Sequence, residues 1–183
     1  MNKLLTSKKN KMRLLVLLFV LPLFSIGQTT FLNGVPNDLD QNKIIFLKRE
    51  PVDVIADPKE SKAEKYVHHR QKNHNRVIDE SNQELAAAAL KYPFEYAIAT
   101  QSSYESLVPA GYKYVLISQV YKNEYLQKHP EEDELIVFEY FILDVEGNIA
   151  YKVFELDEMK VYDSKMLMRR LNKEIKKVFP DAN

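Results

Sequence analysis

Three histidines, His68, His69 and His74, fall within seven residues just ahead of Asp79 and Glu80, a set of donors that could hold zinc in another arrangement. Two helix side chains share a metal when they are three or four residues apart, because those positions lie on one face. Here the intervals are one, five and six, so on a helix the rings diverge and no metal site is expected. The same stretch carries Lys65, His68, His69, Arg70, Lys72 and Arg76. That is a basic patch suited to an acidic partner, a phosphate-rich glycan or a lipid headgroup, although Glu60, Glu64, Asp79 and Glu80 dilute its field.

Tyrosine offers a second kind of surface. Tyr112 and Tyr114 alternate with Lys113 in one strand-like run, and Tyr140 and Tyr151 fall in the next two. On the expectation that these rings line one sheet face, they form a candidate contact surface. A tyrosine joins a large apolar ring to a hydroxyl that still wants a partner, which suits protein interfaces and sugar stacking. The competing expectation is that the rings close the core.

Catalytic patterns are absent from the sequence. It has no cysteine and no G-x-S-x-G turn, and Ser102, Ser103, Ser106 and Ser118 have no histidine nearby. Gly34, Gly111 and Gly147 stand alone, whereas a phosphate cradle needs closely spaced glycines. Asp144, Glu146 and Asn148 surround Gly147 in a stretch too short for a twelve-residue calcium loop. Residues 131–134 are expected to be an acidic loop, with no specific carboxylate pair to be recognised. No cofactor is expected.

The elements that would position these residues follow from periodicity. Lys43 to Lys48 is a short apolar run of strand type. From about Lys59 to Lys91, apolar and small residues recur at helical spacing, and the helix must stop before Pro93. Its second half, with Ala86 to Leu90, can pack on a sheet; its polar first half is the part expected to project or fray. Strands are expected at Glu95 to Thr100, Lys113 to Tyr121, Glu134 to Val145 and Asn148 to Leu156. The last two form a hairpin through Gly147 and Asn148, residues that tolerate positive φ. A final helix runs from Ser164 to about Phe179, capped by Asp163 and buried through Met166, Leu167, Leu171, Ile175, Val178 and Phe179.

The order β-α-β-β-β-β-α specifies an α/β (α+β) fold: a mixed, mainly antiparallel sheet of about five strands with both helices on one face. The strands at residues 43–48 and 95–100 are expected to be parallel neighbours.

The compartment is written at the N-terminus. Lys3, Lys8, Lys9, Lys11 and Arg13, with no acid among them, precede the apolar run Leu14 to Phe24, followed by Ser25, Ile26 and Gly27. This reads as a cleavable signal peptide, residues 1–27, with cleavage after Gly27. The run has about half of the roughly 20 apolar residues a spanning helix needs, so no stable membrane insertion is expected after cleavage. Residues 28–42 are expected to be a flexible lead-in and 43–183 a single domain, periplasmic or secreted. Removing the leader leaves 21 Lys and Arg against 26 Asp and Glu, an acidic balance that argues against nucleic acid. The expectation is an exported, non-catalytic accessory or binding domain that contacts an envelope protein or itself. The alternatives are a small envelope-polymer hydrolase and a sugar- or metabolite-binding module.

Overall fold

The computed structural model describes residues 29–57, 62–120, 137–158 and 160–182. The leader and the acidic stretch 131–134 lie outside the described residues. The described chain is a mixed α+β fold. Six strands, β1 (Thr30–Asn33), β2 (Lys43–Leu47), β3 (Tyr96–Ala99), β4 (Tyr112–Val120), β5 (Val137–Asp144) and β6 (Ile149–Asp157), form one sheet in the order β1-β6-β5-β4-β2-β3. The helices are α1 (Lys62–Ala89) and α2 (Ser164–Val178), with a 3-10 turn over Tyr104–Ala110. The pairs β4–β5 and β5–β6 are antiparallel, whereas β2–β3, β2–β4 and β1–β6 are parallel. The parallel pairing of β2 and β3 is the one expected of a strand-helix-strand unit.

Both helices cover the same sheet face. Leu85, Ala88 and Ala89 of α1 join Leu167, Met168, Leu171 and Ile175 of α2 over Ile44, Phe46, Tyr114, Leu116, Tyr140 and Ile142. Burial of each large side chain contributes roughly 1.5–3 kcal/mol, so α2 is held chiefly by its four core residues. Asp163 caps α2, accepting from the Met166 amide at 2.8 Å. Met168 belongs to this core although it lies outside the expected stripe, and Val178, inside that stripe, is exposed. The opposite face has a smaller core of Ile45, Ala99 and Val115, covered by Tyr104 and Leu107 of the 3-10 turn.

Two expectations need correction. Residues 28–42 are not a flexible lead-in across the described part, 29–42. Thr30 to Asn33 form the sixth strand on the free edge of β6, and Val35, Pro36 and Leu39 are buried beyond it. An edge strand of four residues with every side chain exposed has no period to detect, and the segment after it is held by single anchors. The polar half of α1 does not project either. The extended segment 49–57 runs along it in the opposite direction and bonds to its side chains. Arg49 N–H donates to Asn82 Oδ1 (2.9 Å), Val52 N–H to Asn75 Oδ1 (2.9 Å) and Ile55 N–H to Gln71 Oε1 (3.0 Å). Asn82 and Asn75 return hydrogen bonds to the carbonyls of Arg49 (3.0 Å) and Val52 (2.8 Å). Carboxamides on one helix face thus hydrogen-bond a strand-like strap as a neighbouring strand would.

Candidate functional site

The four tyrosines do not share an open face. Tyr114 is 1% exposed and Tyr140 3%, both in the core beneath the helices, with Tyr151 packed at the margin of that core. Tyr112 packs with the opposite cluster. The cause is a β-bulge. Lys43 pairs with Tyr112 while the next residue, Ile44, pairs with Tyr114, so Lys113 is the extra residue and the alternation slips by one. The candidate contact surface of Tyr112, Tyr114, Tyr140 and Tyr151 is therefore core and sheet margin. Tyr140 stacks on Phe154 at 4.9 Å, and its hydroxyl is buried without a hydrogen-bond partner.

Tyr114 belongs to a polar cluster. Its hydroxyl donates to Asp38, whose other oxygen receives Lys113 Nζ at 2.7 Å; Lys113 also lies 3.6 Å from Asp144. Burial pushes the Asp38 carboxyl up, but Lys113 and the Tyr114 hydroxyl outweigh it and hold the group below its ordinary range. The Asp38 hydrogen bond raises the Lys113 pKa. A lysine held protonated between carboxylates is a poor base or nucleophile, so this cluster anchors residues 34–42 to the sheet.

The basic patch divides in two. Arg70 pairs with Glu158 at 2.5 Å, and Tyr66 donates to the same carboxylate at 3.1 Å. His68 Nδ1 donates to the Ile55 carbonyl at 2.6 Å. These two patch members hold structure together. Lys65, His69, Lys72 and Arg76 are exposed at intervals of four, three and four, a single helical stripe facing solvent. His74 bonds through both nitrogens, to Glu50 O at 2.9 Å and Tyr162 Oη at 3.0 Å. Among the described residues no group of three or more His, Asp or Glu side chains is placed to hold a metal.

A concavity of about 820 Å³ lies elsewhere, between the end of α1 and the outer side of α2. Ala87, Ala88, Met166 and Met168 give it an apolar floor; Lys91, Lys165, Arg169, Lys173 and Lys176 stand around it, and Asp163, the cap of α2, is the one acid in the lining. Lys165 is 3.4 Å from Glu84, whereas Lys91, Arg169, Lys173 and Lys176 make no ion pair among the described residues. Asn172 donates to the Lys91 carbonyl at 2.7 Å, tying the helices together, and leaves its own Oδ1 buried without a partner. Leu90, just past the end of α1, is 77% exposed.

Sequence reasoning missed this surface, although its signal was present. Six of the fifteen residues of α2 are Lys or Arg against one Glu, and 165, 169, 173 and 176 recur at helical spacing. No family model matches the chain, and neither a curated protein nor a solved structure matches it. Among the described residues no helix is long and apolar enough to cross a membrane.

Proposed function

We propose that this is an exported, non-catalytic accessory domain of the cell envelope, and that it works by gripping an acidic segment of another envelope protein in the groove between α1 and α2. The observation that carries the reading is the apolar floor ringed by four cations without carboxylate partners. A helix or strap with acidic flanks and one or two apolar anchors complements it in shape and charge. The buried acceptor of Asn172 adds a place for a backbone N–H. The export pattern of residues 1–27 supports the envelope as the setting.

The test places a photo-crosslinking residue at Ala87, on the groove floor, in the producing cell. One discrete adduct is expected, and Arg169→Glu with Lys173→Glu should reduce it at least tenfold while the thermal melt stays unchanged. An adduct that survives the charge reversal sinks the reading. An adduct composed of two copies of this chain would make the partner a second copy.

A further inference from the structure

A second, smaller cavity of about 220 Å³ lies where the middle of α1, the sheet and the first turn of α2 meet. Arg49, His74, Ser118 and Tyr140 line it, over a floor that includes Phe46 and Leu116. It is below the roughly 300–1,000 Å³ that drug-sized ligands occupy, so its occupant is small.

The polar groups around it are organised around Arg49. His74 donates from Nε2 to the Glu50 carbonyl, which can only accept, and its Nδ1 meets the Tyr162 hydroxyl. His74 therefore fixes the Tyr162 ring. The Arg49 guanidinium lies over that ring at 4.7 Å from its centre and donates one hydrogen bond to the Val161 carbonyl. Its remaining donors have no carboxylate among the described residues, and the adjacent Glu50 carboxylate receives the amide and hydroxyl of Ser102. A half-buried guanidinium without a counter-ion is unusual, because an unpaired charge is costly away from water.

The second orphan is Tyr140. Its side chain is almost wholly buried and its hydroxyl has no hydrogen-bond partner. Burial pushes its phenol pKa up while the Arg49 charge and a loose hydrogen bond from Arg49 oppose that rise; the guanidinium can only donate, so the phenol proton still lacks an acceptor. One group that accepts from both would satisfy the two at once.

We infer that this cavity binds a small oxyanion, a phosphate or a carboxylate carried on a few-atom ligand, held by Arg49 and the Tyr140 hydroxyl. The site goes beyond the α1–α2 groove and does not depend on it, since the two share no cation.

The probes are inorganic phosphate and succinate, each titrated into the purified protein at an ionic strength held constant with sodium chloride, with thermal melting as the readout. At least one is expected to raise the melting temperature by several degrees at millimolar concentration. A response to phosphate alone identifies a phosphoryl ligand, and a response to succinate alone a carboxylate. Tyr140→Phe keeps the ring in its stack and should weaken the response about tenfold; Arg49→Gln should abolish it. The inference is overturned if neither anion exceeds chloride, or if Tyr140→Phe responds as the wild type does. The phenylalanine variant remains decisive should the arginine variant fail to fold.

Discussion

Asp144 and Gly147 settle the geometry of the β5–β6 turn between them. The buried Asp144 carboxylate accepts from the amides of Glu146 at 3.1 Å and Gly147 at 2.8 Å, satisfying donors that the tight turn leaves unpaired. A Cβ at position 147 would lie 2.8 Å from Asp144 Oδ2, closer than carbon and oxygen can sit. The turn was legible from the residues 146–148, but its positive φ falls on Asn148, at 52°, and not on the glycine. Gly147 is required by the aspartate beneath it, a relation that sequence spacing does not reveal. Gly147→Ala should therefore displace the carboxylate, leave two amides without their acceptor and cost about 1–3 kcal/mol of unfolding free energy. Urea denaturation measures this, and Asn148→Gly, which relaxes the backbone and gives up the exposed hydrogen bond from the Thr29 hydroxyl, should cost less. A Gly147→Ala variant as stable as the wild type would mean that the Asp144 contact does not govern the turn.

Elements that carry their own period were read correctly, and elements held by another element were not. The second half of α1 announces itself through Ile78, Leu85, Ala88 and Ala89, all buried. The first half owes its position to Gln71 and Asn75, joined by Asn82 further on, which in a lone sequence look like solvated side chains on a polar face. Segment 49–57 likewise has no hydrophobic alternation, because what it satisfies is its backbone. The same logic hid β1, whose pairing depends on the free edge of β6. Asn75→Ala and Asn82→Ala each remove two hydrogen bonds to the backbone of 49–57, and each should destabilise the chain by about 1–2 kcal/mol. Hydrogen exchange should quicken at the Val52 amide in the first variant and the Arg49 amide in the second, while the amides of Leu85 to Ala89 keep their protection. If protection falls evenly through α1 in both variants, the strap and the helix form one cooperative unit and not two.

At the scale of the whole molecule, charge and aromatic burial are distributed unevenly, and neither was legible from composition. The chain is balanced at 26 basic and 26 acidic residues, yet α2 alone holds six cations against one acid. The groove it borders was missed because a net charge says nothing about where charge gathers. For the tyrosines both a surface and a core were expected, and Tyr114 and Tyr140 follow the second: two helices shelter them, while the bulge at Lys113 sends Tyr112 to the opposite face. That burial has a consequence for alkaline pH. Burial raises the phenol pKa of Tyr92 and of Tyr140, and for Tyr114 burial and the bond to Asp38 act together. In the unfolded chain these phenols ionise near pH 10. Above that value the native state binds more protons than the unfolded state, so stability is complete below pH 10 and falls as pH rises toward the folded-state values. Each such phenol steepens the loss by at most about 1.4 kcal/mol per pH unit. Melting temperatures should thus be flat from pH 8 to about 9.5 and drop steeply beyond. Tyr92→Phe removes a buried hydroxyl that has no hydrogen-bond partner, so it should match the wild type at pH 8 and lose stability more slowly above pH 10. Spectrophotometric titration supplies the independent check. Ionisation of all eleven tyrosines near pH 10 in the still-folded protein would contradict the burial of these rings.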